Sequence, residues 1–417
     1  MFTLEHGVIT TGFILIALII VSVVIVGRFF CSWGCHVLAL QDLSEWALAR
    51  IGIRPKPVRM RVLLLLPVAA ALYMFAWPQV ARINAGAAWG PMRISTDAQG
   101  FGSLMTTDFF RNLPPWWIAV ITFVFCGFVL VYLMGSRSFC TYVCPYGAVF
   151  AVADRAAIGR IKLVESPDGC AGCAKCTAAC NSHIRVHQEL ARFGRVVSPA
   201  CLKDLDCVDA CPRGAIEFGF SKPSGLLSWR KWGRFGVPYD CSLAEECFAL
   251  VAGVGAFVVT RGLYGAIPFF LAMAIAALVA WSAVIAVRVA SRRDVRWARA
   301  TLKRSAQITR SGWVLCAVLA LLAVFLLQAG AVRHITQHGV ASWERGDRSL
   351  AHAQLELAQT WSLFHCDEID VPLASVLLES GAPSQARVVI ARIVARDPRR
   401  VGWKSALDDC DRVTGGH

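Results

Sequence analysis

Seven of the 17 cysteines fall between Cys170 and Cys211, and their rhythm constrains the chain more than any other feature. The first run is Cys170-Ala-Gly-Cys173-Ala-Lys-Cys176-Thr-Ala-Ala-Cys180. The second is Cys201-Leu-Lys-Asp204-Leu-Asp-Cys207-Val-Asp-Ala-Cys211-Pro212, with Asp204 standing where the first run has a cysteine. C-x2-C-x2-C-x3-C is the spacing of iron–sulfur ligands, and in a two-cluster arrangement the fourth Cys of each run serves the other cluster. That rule assigns Cys170, Cys173, Cys176 and Cys211 to one 4Fe–4S cluster. It assigns Cys180, Cys201 and Cys207 to a second, with Asp204 or an outside ligand in the fourth place. The second cluster is then either a 4Fe–4S cluster held partly by a carboxylate or a 3Fe–4S cluster. Zinc takes four ligands, usually in pairs, and seven cysteines in this rhythm fit it poorly. Disulfides need an oxidising compartment, and the charge pattern puts this segment in the cytoplasm.

The rest of the chain is membrane-like. It is 56% hydrophobic and 17% charged over 417 residues, which reads as an integral membrane protein with soluble parts attached. About six apolar spans are expected, near 8–27, 62–77, 116–135, 247–260, 266–287 and 313–332, against the roughly 20 residues a bilayer requires. No cleavage pattern follows the first, so it reads as a retained helix. The fourth is short and Gly-rich, and either crosses alone or forms a re-entrant hairpin with the fifth. Arg50, Arg54, Lys56, Arg59 and Arg61 follow the first span. Arg288, Arg292, Arg293, Arg296, Arg299, Lys303, Arg304 and Arg310 follow the fifth. The positive-inside rule makes both loops cytoplasmic. Six spans then place the cysteine-rich section inside and both termini outside. The net charge of +14 is accounted for by this anchoring and lipid contact, with no call for nucleic acid.

The expected class is an integral membrane α-helical protein with an inserted two-cluster ferredoxin-like module and a C-terminal soluble helical domain. The expected divisions are 1–164 (spans one to three), 165–222 (the module), 223–332 (linker and spans four to six) and 333–417 (the tail). In the tail, Leu373, Ala386 and Pro398 fall where a tetratricopeptide-type helix pair has them, although a helical domain of no repeat class fits as well. Cys366 and Cys410 there either pair or remain separate core residues.

A second cysteine system sits at the membrane edge. Arg28-Phe-Phe-Cys31-Ser-Trp-Gly-Cys35-His36 resembles Arg137-Ser-Phe-Cys140-Thr-Tyr-Val-Cys144-Pro145, and each follows a span. On a continuous helix, positions i and i+4 share a face, so each pair is expected to present two thiols to one partner. The repeat favours a redox or metal site at Cys31, Cys35, Cys140 and Cys144 over four packing residues. Haem attachment is not expected, because Cys35-His36 belongs to C-x3-C-H and not C-x2-C-H. Cys126 and Cys316 read as packing residues, Cys241 and Cys247 either do the same or join the membrane-edge site, and no phosphate-binding or dinucleotide glycine motif is present.

With these residues in view, the stretch from about residue 27 to 216 resembles the NapH/NosR-type membrane polyferredoxin family. Cys140, Cys144 and Pro145 match that family's second membrane-edge motif. Cys31 and Cys35 match the first, with His36 replacing its proline, and Asp204 replaces a cluster cysteine. The resemblance implies a multi-pass protein of the bacterial inner membrane. It implies electron transfer between a quinol or cytoplasmic donor and a periplasmic oxidoreductase or cytochrome, with a quinone between the spans as one means of crossing. Three other classes fit the residues: a copper reductase or assembly factor, a thiol–disulfide relay, and a redox-sensing regulator. No residue set for bond-breaking catalysis stands out.

Overall fold

The computed structural model describes residues 7–53, 55, 57–86, 92–94, 116–164, 169–225, 239–263, 267–297, 300–396 and 401–414. Arg54, Lys56, Arg299, Pro398 and most of the 78–115 loop lie outside them. The chain divides into two compact units, Met1–Leu250 and Val251–His417.

The first unit is built on a repeated pattern. The apolar helix Thr11–Val26 starts at Thr10, whose hydroxyl accepts from Phe13 N at 3.2 Å. It stops at Gly27, with φ of 81°. Only glycine fits here, because a Cβ would lie 2.5 Å from Lys203 Cε and 2.9 Å from Asp154 Oδ1. A five-residue helix, Phe29–Trp33, and a longer one, His36–Arg50, follow. The second copy runs the same way: apolar helix Trp116–Met134, Gly135 with φ of 100°, five-residue helix Ser138–Tyr142, then Pro145–Asp154. The copies pack reciprocally. His36–Arg50 lies against the C-terminal half of Trp116–Met134, and Pro145–Asp154 lies against Thr11–Val26. Ile19, Val23 and Phe150 are buried at the latter contact, and a Cβ on Gly127 would meet Leu40 at 2.5 Å in the former.

The continuous-helix expectation for the Cys-x3-Cys pairs is corrected by this geometry. Cys31 and Cys140 ride on the five-residue helices, whereas Cys35 and Cys144 are extended caps of the helices that follow, with ψ near 112° and 111°. In the second copy the cause is Pro145. It has no N–H to extend the preceding helix, and it biases Cys144 away from helical ψ.

Beyond Asp154 the chain enters the cysteine module. Strands Gly159–Leu163 and Ile216–Phe220 pair antiparallel, Gly159 opposite Phe220 and Leu163 opposite Ile216. They close the module's two ends together and bring the cysteine runs side by side. Its core is Ile161, Cys176, Ile184, Leu190, Val196, Cys201, Cys207 and Ile216. Cysteines thus supply part of this small core.

The second unit contains the helix Phe269–Ser291, the antiparallel strands Val295–Trp297, Ala300–Arg304 and Gln307–Ile308, and the helix Arg310–Glu344. Arg310–Glu344 is 35 residues long and passes residue 332, the expected end of the last span, without a break. Nothing between Val332 and Gly346 stops it: the next left-handed glycine is Gly346, with φ of 84°. Helices Arg348–Trp361, Asp367–Glu379, Pro383–Arg396 and Val401–Thr414 then pack in succession around Leu355, Leu373, Leu377, Ala386, Ile390 and Ile393. Cys366 and Cys410 are not joined by a disulfide and belong to separate core clusters, so the pairing alternative is not realised.

Among the described residues five helices are long and apolar enough to cross a membrane: Arg61–Asn84, Trp116–Met134, Leu243–Thr260, Phe269–Ser291 and Arg310–Glu344. Thr11–Val26, the remaining expected span, is apolar but has 16 residues.

Candidate functional site

The first set of cysteines surrounds one cavity of about 260 Å³, lined by Cys170, Cys173, Cys176 and Cys211 together with His187 and Ile216. Three of these thiols come from the first run and the fourth from the second. Left-handed residues on both sides of Cys173, Gly172 with φ of 66° and Ala174 with φ of 59°, bend the chain around the cavity. Cys176 sits in the helical turn Lys175–Ala178 and is buried, whereas Cys170 and Cys173 face solvent. Four thiols converging on a single cavity fit a cubane. Among the described residues no three His, Cys, Asp or Glu side chains converge as one metal ion would demand. In a cubane each thiolate binds a different iron, so its ligands stand farther apart than those of a lone zinc.

The second set, Cys180, Cys201 and Cys207, is more deeply placed. Burial pushes the Cys180 thiol up to about 12, and the nearby Cys201 and Asp204 add to the rise. Burial also raises Cys207, followed by the influence of Cys201, Cys180 and Asp204. The three thiols and the carboxylate therefore share one neighbourhood. Such thiols stay protonated unless a metal draws them into the thiolate form. Asp204 itself makes an ion pair: its Oδ2 lies 2.5 Å from Arg137 Nη1. The same Arg137 nitrogen donates to Ser182 Oγ at 3.2 Å, and its Nε reaches Asp42 at 3.4 Å.

Three further contacts join the 199–204 turn to the membrane-edge segments, and Asp154 gathers two more partners. Arg28 Nη1 donates to the Pro199 carbonyl at 3.0 Å, and Ser32 Oγ to the Leu202 carbonyl at 2.9 Å. Lys203 Nζ lies 2.9 Å from Asp154 Oδ1, and Arg160 Nη1 lies 2.8 Å from Asp154 Oδ2. The Arg28 amide also donates to Asp154. Sequence reasoning missed Arg28, Arg137, Asp154 and Lys203. The signal for the two arginines was present, because each opens its Arg-x-Phe-Cys repeat.

The four membrane-edge cysteines also gather. Burial first, and then Cys144, Cys35 and Cys31, raise the Cys140 thiol; burial, with Cys31 and Cys35 nearby, brings Cys144 to about 11. Cys31 is raised by burial and lowered in part by Arg28. Gln41 spans the two copies of the repeat. Its Oε1 accepts from Phe139 N at 3.2 Å, and its Nε2 lies 3.6 Å from Cys140 Sγ. Reciprocal packing of the copies therefore brings together two pairs that are far apart in sequence.

Comparison with known proteins finds families on these same segments. A family described as a 4Fe-4S dicluster domain matches residues 162–212. A family described as a 4Fe-4S binding domain matches twice, at 8–54 and 116–163, each match falling on one copy of the structural repeat. Among curated relatives, the putative electron transport protein YccM of Escherichia coli is 24% identical over 60% of this chain and 68% of its own length. The methylamine utilization ferredoxin-type protein MauN of Methylobacillus flagellatus is 25% identical over 46% of this chain and 61% of its own. The ferredoxin-type protein NapH of Haemophilus influenzae is 24% identical over 48% and 66%. The matches thus cover about two thirds of the length of these three relatives. No solved structure matches.

Proposed function

The chain belongs to the NapH-type polyferredoxin family, and from that premise we propose that it carries electrons between a quinol or cytoplasmic donor and a periplasmic oxidoreductase or cytochrome. Iron–sulfur electron transfer is common ground with its relatives; the direction and the partners are the proposal. The single observation that carries it is the crossed set of cysteines, four of them around one cavity. Cys170, Cys173, Cys176 and Cys211 would hold a 4Fe–4S cluster, and Cys180, Cys201 and Cys207 the irons of a second. Bound clusters would supply one-electron chemistry at potentials set by ligands, hydrogen bonds and burial. This chain's part is to fix their positions, bury the second and leave the first open to a partner.

The basic loops support an orientation with the module in the cytoplasm and the tail in the periplasm of an inner-membrane protein. The quartet Cys31, Cys35, Cys140 and Cys144 serves as a redox station at the inner edge. Burial raises the Cys140 and Cys144 thiols, which opposes the thiolate that thiol–disulfide exchange needs and favours the carrier reading over a relay.

Purified without oxygen, the module should contain roughly seven to eight irons with matching sulfide. Cys173→Ser should remove the electron paramagnetic resonance signal of one cluster and keep that of the other. Stoichiometric zinc in place of iron would overturn the reading.

A further inference from the structure

Asp204 occupies a ligand position, and its backbone retains the shape of one. Cys173, its counterpart in the first run, lies between two left-handed residues, Gly172 and Ala174. Asp204 also lies between two, Lys203 with φ of 61° and Leu205 with φ of 70°. Neither is glycine, so the chain accepts strain at both positions to keep the same turn. The side chain that this turn presents is nevertheless taken by another group. Asp204 Oδ2 is 2.5 Å from the guanidinium of Arg137, which is only 3% exposed. Asp42, the other carboxylate on Arg137, stands at 3.4 Å and is 40% exposed. Withdrawing Asp204 to bind iron would leave a buried guanidinium with its weaker partner alone, a costly change. What it would gain is a carboxylate–iron bond, a poor match for a site of thiolates.

The neighbouring residues point the same way. Pro199, Leu202, Lys203 and Asp204 contact Arg28, Ser32, Asp154 and Arg137 respectively. Arg28 and Arg137 hold the same position in the two membrane-edge repeats. The turn that should carry a ligand is thus tied to both copies of the repeat.

We propose that Asp204 is a docking residue and not a cluster ligand: its ion pair with Arg137 fastens the second cluster's lobe to the membrane-edge repeats and leaves that cluster three protein ligands, Cys180, Cys201 and Cys207. The proposal rests on the iron–sulfur reading above. It makes Arg137 and Asp204 positioning residues for electron passage between that lobe and the Cys31/Cys140 region.

The test compares the full-length protein with Asp204→Asn, Arg137→Gln and Asp204→Cys, all purified anaerobically in detergent. Paramagnetic resonance reports the type of the second cluster, and limited proteolysis reports exposure of the 199–205 turn. Docking requires Asp204→Asn and Arg137→Gln to behave alike: the second cluster's spectrum is unchanged, or is lost in both, and cleavage of the turn accelerates about tenfold in both. Asp204→Cys should restore a fourth thiolate. It should then take up Fe(II) under dithionite, where a one-electron-reduced 3Fe–4S core plus one Fe(II) gives a 4Fe–4S core. The proposal is overturned if Asp204→Asn alone converts a 4Fe–4S signal to 3Fe–4S while Arg137→Gln leaves it intact. A wild-type protein with no iron–sulfur signal at all would instead overturn the carrier reading, separately from this one.

Discussion

At the scale of single residues, the buried charges around Asp154 bear the most weight. Asp154, Arg160 and Lys203 are all almost fully enclosed, and one carboxylate serves both cations. Asp154→Ala would strand two buried positive charges at the junction of the membrane-edge helices and the cysteine module. Breaking a buried pair by removing one partner costs about 3–5 kcal/mol. The expected result is a clearly lowered unfolding midpoint for the purified protein, followed by iron loss at temperatures the wild type tolerates; an unchanged midpoint would mean the cluster of charges is dispensable. None of this was legible in the sequence. The cysteines announce themselves because their local spacing is regular, which is what groups Cys211 with the first run, and Cys211 lines the same cavity as Cys170, Cys173 and Cys176. Asp154 and Lys203 are a long-range pair, and each resembles an ordinary surface charge when read along the chain. The arginines of the repeats were visible but had no assigned task until Asp204 and Pro199 were seen beside them.

At the scale of elements, apolar stretches predicted most helices and misjudged their ends. Length and hydropathy locate a span, whereas its ends depend on where a cap or a left-handed residue can form. Gly27 and Gly135 stop the helices in both repeats, whereas no such residue follows Val332 until Gly346. The last apolar helix therefore runs on to Glu344 and becomes the first packing surface of the tail. Gly339 marks that contact: a Cβ there would lie 2.8 Å from Leu355 Cγ and 3.0 Å from its Cδ2. Gly339→Leu should overpack the seam with helix Arg348–Trp361, at a cost of about 1–3 kcal/mol. Cys410 offers a readout, since it is buried in the same core cluster as Leu355. Its alkylation in the intact protein should accelerate several-fold in the variant, while Cys366, in a separate cluster, should respond less. Equal rates in wild type and variant would show that the seam yields freely.

At the scale of the whole molecule, the question is how an electron leaves the cytoplasmic side. On the proposed orientation, the iron–sulfur module lies inside and any partner of the tail outside, and a bilayer's hydrocarbon is about 30 Å thick. Two clusters in one cytoplasmic module do not bridge that distance, so another station must lie between them and the bilayer. Cys31, Cys35, Cys140 and Cys144 are suited to the inner end. They are brought together by two packed repeats, beside Arg28 and Arg137, and on the proposed reading their four soft sulfur atoms suit a multi-iron cluster better than a lone ion. Quinol or a partner subunit then covers the remaining distance. Cys31→Ala with Cys140→Ala removes one thiol from each repeat and keeps Asp154, Arg28 and Arg137, so both module clusters should still assemble and still be reduced by dithionite. Electron delivery to a periplasmic acceptor in inverted or right-side-out vesicles should fall to background. If the double variant delivers electrons at the wild-type rate, the quartet is a packing feature, and the module must serve a partner on its own side of the membrane.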